Sequence, residues 1–128
     1  MLYAFEVNPV FCTELEQIGD QRLKIFCESA ARLPDFIEPA SKKGVTYIVS
    51  SIPFGILPEE ECDRIMNAIY TVSNIATVFI QYSYSIIQYR RFKKYFSKVR
   101  VQFEPINIPP AFIFVCTRKR HLEPAYLT

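Results

Sequence analysis

Glu6 is the first side chain of this 128-residue chain whose type and position could do chemistry. It ends the apolar run Leu2-Tyr3-Ala4-Phe5 and stands just before the breaker Asn8-Pro9. A carboxylate at the end of a buried parallel strand, near a topological switch point, can accept two hydrogen bonds from a ribose diol. The same pattern also fits a solvated carboxylate beside the next helix. The stretch Ser50-Ser51-Ile52-Pro53-Phe54 is the second candidate. Its hydroxyls and carbonyls are acceptors, Pro53 stiffens the backbone, and Phe54 can offer an aromatic face to an amine or a sulfonium cation. An ordinary strand-to-helix turn with Phe54 in the core reads equally well. Ser29-Ala30 is a weaker third site, where a hydroxyl can meet an adenine edge or simply face solvent.

Gln88 to Arg100 interleaves Arg90, Arg91, Lys93, Lys94, Lys98 and Arg100 with Tyr89, Phe92, Tyr95 and Phe96. Such a basic and aromatic segment suits an anionic lipid surface or RNA, or a solvated helix face whose aromatics turn inward. Other chemistries have little support. The sequence has no G-x-G-x-x-G, Walker loop, H-E-x-x-H or G-x-S-x-G, and its single histidine, His121, lies in a charged tail.

Alternating elements must position these residues. Leu2–Phe5 reads as a strand, Pro9 onward as a helix closed by Gly19-Asp20, and Leu23–Cys27 as a second strand. Lys42-Lys43-Gly44 reads as a turn and Val45–Ser50 as a third strand. A helix then starts at Pro58-Glu59-Glu60-Glu61 with Ile65, Ala68, Ile69 and Val72 as its buried stripe. Ile75–Gln81 is a fourth strand, Tyr82–Phe96 a helix, Val99–Phe103 a fifth strand and Ala111–Cys116 a sixth. The alternation predicts an α/β fold with a mostly parallel sheet, ending in an antiparallel hairpin. Glu6, Ser29 and Ser51 all fall at carboxyl ends of strands, where such sheets bind ligands.

Half the residues are hydrophobic, with 11 Phe, 8 Tyr and no Trp, which describes one globular domain with an aromatic core. We place that domain at 1–118 and a polar tail at 119–128. A net charge of +2 argues against nucleic-acid binding through overall charge. Cys12, Cys27, Cys62 and Cys116 form no C-x-x-C pair and are expected to be reduced structural thiols. Glu6 interrupts the only early apolar stretch, and no apolar run reaches membrane-spanning length. The expected location is therefore cytoplasmic, with peripheral membrane contact open.

Three segments together carry a family likeness: Tyr3-Ala4-Phe5-Glu6-Val7-Asn8, Glu28-Ser29-Ala30-Ala31-Arg32-Leu33-Pro34 and Ile48-Val49-Ser50-Ser51-Ile52-Pro53-Phe54. In this order they resemble consecutive motifs of class I S-adenosylmethionine-dependent methyltransferases. Within that class they most resemble the bacterial phospholipid N-methyltransferases, relatives of the rRNA adenine dimethyltransferases. Pro105-Ile106-Asn107-Ile108-Pro109-Pro110-Ala111-Phe112 resembles the last hairpin of the phospholipid group.

The resemblance implies a Rossmann-like sheet and S-adenosylmethionine as cofactor. Glu6, with Val7 beside it, would hold the ribose; Ser29 and Ala30 would lie by the adenine; Ser50 would complete the cofactor set. Ser51, Pro53 and Phe54 would present the methyl acceptor for an in-line displacement driven by proximity and orientation. Ser51 stands where the adenine methyltransferases begin their loop with Asn or Asp, which favours an alkyl amine such as phosphatidylethanolamine. The implied partners are a phospholipid amine and an anionic membrane surface, with no specific nucleic acid. The family's first strand and glycine-rich loop have no counterpart here, and that strand would lie between those ending at Glu6 and Ser50. A gap or a new direct pairing is expected there, with a partner chain as one source of the strand. The alternatives are a non-catalytic module that keeps the fold and, third, an RNA adenine methyltransferase-like protein.

Overall fold

The computed structural model describes residues 1–39 and 45–118. In chain order its elements are β1 (Leu2–Phe5), α1 (Pro9–Glu16), β2 (Leu23–Phe26), a 3-10 turn (Ala30–Arg32), α2 (Leu33–Phe36) and β3 (Thr46–Ser50). There follow α3 (Glu59–Val72), β4 (Thr77–Ser83), α4 (Tyr89–Tyr95), β5 (Lys98–Glu104) and β6 (Ala111–Thr117). The expected turn at 42–44, the tail 119–128 and His121 lie outside the described residues.

Local chemistry sets the boundaries. Asn8 caps α1, accepting from Val10 N–H at 3.0 Å, and Pro9 takes the first turn, where no donor is needed. Gly19, at φ 63°, ends that segment in the left-handed conformation glycine tolerates. Glu59, Glu60 and Glu61 occupy the first turn of α3, where the helix dipole favours negative charge. Its predicted stripe of Ile65, Ala68, Ile69 and Val72 is buried.

The bounds of β4 and α4 differ most from expectation. Asn74 Oδ1 accepts from Ala76 N–H at 2.7 Å, and this turn delays β4 to Thr77 rather than Ile75. At its far end β4 continues through Tyr82 and Ser83, which pair with Ile113 and Phe112 of β6. A Ser83–Ser85 turn then holds the chain extended, so α4 begins at Tyr89 instead of Tyr82.

The strands form two sheets. β1 and β2 pair in parallel, Leu2 opposite Leu23 and Phe5 opposite Phe26. The second sheet has the order β3-β4-β6-β5, with β3 and β4 parallel and β6 antiparallel to both neighbours. β1 and β3 do not pair, so the gap outcome holds. Leu2 N–H donates to Arg22 O at 2.7 Å, Glu6 N–H to Phe26 O at 3.1 Å, and Thr46 N–H to Ala76 O at 3.3 Å. Because peptide groups alternate between the edges of a parallel strand, those of Tyr3 and Phe5 face away from β2, and those of Tyr47 and Val49 away from β4. Among the described residues no strand meets either edge. Val49, which a central strand would bury, is 75% exposed.

The core lies over the larger sheet. Phe79 and Phe114 on the strands, Phe92 and Phe96 around α4, and Met66 and Ile69 of α3 are closed to solvent. Phe92 meets Phe54, Phe79 and Phe114 edge-on, with centroids 5.1–5.8 Å apart. The aromatics of the basic segment therefore pack inward at Phe92 and Phe96. One expectation about the cysteines is overturned: Cys12 and Cys27 are joined in a disulfide that ties α1 to the end of β2. A 15-residue separation between a helix and a strand end carried no motif to announce it. Cys62 and Cys116 are free and buried, as expected.

Phe92→Ala is expected to lower the unfolding free energy by about 3–5 kcal/mol, because the packed rings around it cannot collapse into the space. Urea denaturation with an unchanged slope would show it; a loss below about 1 kcal/mol would contradict this account of the core.

Candidate functional site at the carboxyl ends of the strands

Glu6 continues the β1 ladder by one residue and sits half-buried at the strand's end. Its Oε1 accepts from Asn8 N–H at 2.8 Å, which orients the carboxylate and leaves Oε2 without a protein donor among the described residues. Val7 beside it is exposed. Across the gap, Ser50 ends β3 and is buried, its Oγ accepting from Ile52 N–H at 3.2 Å. Ser51 and Pro53 are exposed at the mouth of that loop. Glu6 and the Ser50–Pro53 loop thus stand at the carboxyl ends of the two strands that border the gap.

Two predicted site residues are engaged elsewhere. Phe54 does not offer its face to a ligand. It is 3% exposed, its ring packs against Phe92, and its carbonyl accepts from Cys62 Sγ at 3.4 Å. The aliphatic and aromatic neighbours under the loop outcompete solvent for this ring. Ser29 caps the 3-10 turn, accepting from Ala31 N–H at 3.2 Å, and its Oγ donates to Glu61 Oε1 at 3.1 Å. Its hydroxyl therefore joins the turn to α3. Ala30 packs, half-buried, against the core.

Gln81 is the residue that sequence reasoning missed. It lies opposite Ser50 in the β3–β4 pair and is 1% exposed. Its Nε2 donates to Ile52 O at 2.9 Å and Tyr82 O at 2.8 Å, clamping the loop to the sheet. Two carbonyl acceptors fix the amide's orientation and leave Oε1 as a buried acceptor without a protein partner. The signal in the sequence was a lone polar side chain within the apolar run Thr77–Tyr82.

Electrostatics separate the reactive groups from the structural ones. Burial pushes the Cys116 thiol up to about 12 and raises that of Cys62, so neither is a thiolate nucleophile at neutral pH. Arg91 chelates Glu59 with bonds of 2.9 and 2.8 Å and reaches Asp63 at 3.6 Å. With its side chain 12% exposed it is a structural cation that ties α4 to α3, not a free one for lipid. Arg90, Lys93 and Lys94 are exposed. Arg91 holds the Glu59 carboxyl below its ordinary 4.5. No His, Cys, Asp and Glu group that could hold a metal occurs among the described residues.

No family model matches this sequence, and no curated protein does. Solved structures do match. The precorrin-6y C5,15-methyltransferase of Geobacter metallireducens aligns with TM-score 0.60 and 14% identity, covering 91% of this chain and 66% of that one. The fold is that of a class I methyltransferase. An rRNA methylase from Streptococcus thermophilus aligns with TM-score 0.56 and 13% identity, covering 91% of this chain and 73% of that one. Human methyltransferase-like protein 13, in complex with SAH, aligns with TM-score 0.58 and 13% identity, covering 97% of this chain and 64% of that one. At such identities the likeness is one of fold, and methyltransferases with different named substrates share it. Among the described residues no helix is long and apolar enough to cross a membrane.

Gln81→Met is expected to cost about 1 kcal/mol for each clamp hydrogen bond lost and to speed amide exchange at Phe54 while leaving Phe79 protected. Unchanged exchange in the loop would show that Gln81 does not hold it. Acid titration gives a second check. The lowered Glu59 value means its contribution to stability is complete above 4.5 and is lost as pH falls through the depressed folded value. Glu59→Gln should remove that part of the acid dependence, read as a flatter melting temperature against pH; an unaltered profile would contradict it.

Proposed function

We propose that this chain is a S-adenosylmethionine-dependent N-methyltransferase-like protein of the phospholipid type, with an alkyl amine such as that of phosphatidylethanolamine as acceptor. One observation carries the reading: in a methyltransferase fold, Glu6 and the Gln81-clamped Ser50–Pro53 loop stand at the carboxyl ends of the strands bordering the gap. S-adenosylmethionine, when bound, supplies an electrophilic methyl group on a sulfonium. The chain's residues fit the nucleoside end of that cofactor. Glu6 has one carboxylate oxygen fixed by Asn8 N–H and the other available to a ribose hydroxyl. The loop's part is orientation: Ser51 Oγ accepts from the amine's N–H groups, and Pro53 limits the loop's freedom.

The methionine end meets only the open edges of β1 and β3. A further strand there, parallel to both, would complete the sheet, and a partner polypeptide is one source of it. For that reason the 128-residue chain alone is expected to bind S-adenosylmethionine weakly or not at all. The same observations support a second reading, a non-catalytic module of the same fold, because Ser29 and Phe54 already serve packing.

Calorimetric titration of the chain with S-adenosylmethionine should show no micromolar binding. The same chain extended at its amino end by a strand and a glycine-rich loop should bind and should methylate phosphatidylethanolamine, with Glu6→Gln reducing binding about tenfold. Micromolar binding by the unextended chain would overturn the account of the gap. An extended chain that folds but neither binds nor transfers would favour the non-catalytic reading, and transfer to RNA adenine in place of the lipid amine would favour the third.

A further inference from the structure

Four isoleucines are exposed in the two loops at the carboxyl end of β4. Ile86 is 52% and Ile87 79% exposed in the loop between β4 and α4; Ile106 is 87% and Ile108 95% exposed in the turn between β5 and β6. The open edges do not account for them. β4 pairs with both β3 and β6, and β6 with both β4 and β5; β5 is an outer strand, but both loops lie beyond the strand ends, where pairing along an edge would not cover them.

The two loops form one unit. Asn107 Nδ2 donates to Tyr82 Oη at 2.6 Å and to Pro109 O at 2.8 Å, which fixes the turn to the end of β4. The Tyr84 ring meets that of Tyr82 edge-on at 5.3 Å. Tyr89 N–H donates to Ile86 O at 3.0 Å and fixes the other loop to the start of α4. Topology places both loops at the sheet end that also carries Ser51 and Pro53. Arg90, exposed in the first turn of α4, stands just beyond Ile87, with Lys93 and Lys94 exposed in the next turn. Glu104, half-buried, is the acidic residue that leads into the turn.

We propose that these two loops form a docking surface for an anionic lipid bilayer, with Ile86, Ile87, Ile106 and Ile108 entering the interface and Arg90, Lys93 and Lys94 meeting the headgroups. The proposal rests on the phospholipid reading above and names the surface that reading leaves open. Aliphatic side chains on rigid loops beside cations suit the boundary between headgroups and acyl chains. Single-stranded RNA would instead call for planar side chains on which bases stack; the β4–α4 loop exposes Tyr84, whose ring already packs edge-on against Tyr82, and the four isoleucines offer no such face. The arrangement also brings the Ser51–Pro53 loop toward the plane where a lipid amine lies.

The test is co-sedimentation of the 128-residue chain with vesicles of phosphatidylcholine, with and without phosphatidylglycerol, in the absence of cofactor. Partition should rise with phosphatidylglycerol. Ile87→Ser with Ile108→Ser should reduce it by about tenfold or more, since each isoleucine loses its apolar burial. Ile18→Ser, at a residue 60% exposed that follows α1 and lies toward the amino end of β2, should leave partition unchanged. Removing Arg90, Lys93 and Lys94 as glutamines should abolish the dependence on phosphatidylglycerol. Melting curves that overlay the parent's confirm that the variants fold. Partition equal in the isoleucine variant and the parent overturns the proposal. So does binding of a single-stranded RNA oligonucleotide that depends on the cations and not on the isoleucines. Methyl transfer by the extended chain to short-chain phosphatidylethanolamine, dissolved as monomers, needs no docking surface. Its failure alone would sink the enzymatic reading and leave this one standing.

Discussion

The packing of the Ala30–Leu33 segment on α3 is the interaction on which the rest of this molecule depends. Two sheets that share no strand pairing have to be held in one body by something else. Here the 3-10 turn and α2 lie against α3, with Ala30, Ala31 and Leu33 on the main core and Ser29 Oγ bonded to Glu61. Glu6 belongs to the small sheet and the Ser50–Pro53 loop to the large one. Their relation across the gap is therefore fixed through a helix face and a short turn, not through a continuous ladder. This explains why Ser29, which by position could face a ligand, has its hydroxyl turned to α3 instead.

The small sheet is further stiffened from its own side. The Cys12–Cys27 disulfide ties α1 to the end of β2, and Tyr3, Phe5, Phe26 and Phe36 group their rings on one face. Four residues per strand are too few for a stable two-stranded sheet without such support. The large sheet has the opposite economy. Its aromatic core is closed, and the buried amide of Gln81 trades solvent for two backbone carbonyls, Ile52 O in the loop after β3 and Tyr82 O in β4 itself. The loop that would orient an acceptor is thus anchored in the more rigid of the two sheets.

Much of this was legible in the sequence because it depends on local pattern. β1 begins and ends where the apolar run does, and the four-residue stripe of α3 is buried as its spacing requires. The parallel order and the closing antiparallel strand followed from alternation and from a connection too short for a crossover. What escaped depended on contacts between distant residues. The disulfide joins a helix to a strand end; the capture of Phe54 by Phe92 and of Ser29 by Glu61 spans more than thirty positions in each case. Arg91 reads as one of six similar cations, and only the approach of α4 to α3 turns it into the partner of Glu59. Gln81 looks like the polar end of a strand until the strand is seen to run two residues further.

The exposed apolar surface divides along the same line. Tyr47 and Val49 stand on an uncovered sheet face of the strand whose far edge meets no neighbour among the described residues, and a further strand with its crossover helix would pair the edge and cover the face. Ile106 and Ile108 lie in the turn beyond the ends of β5 and β6, and a strand added beside β1 or β3 would not bury them. Two kinds of exposure in one small molecule call for two kinds of contact: backbone pairing, which is directional and sets register, and apolar insertion, which is neither. Methyl transfer to a lipid amine would need both at once. On the proposed reading, the first would complete the cofactor end of the cleft, and the second would hold the acceptor end against the surface from which the amine comes.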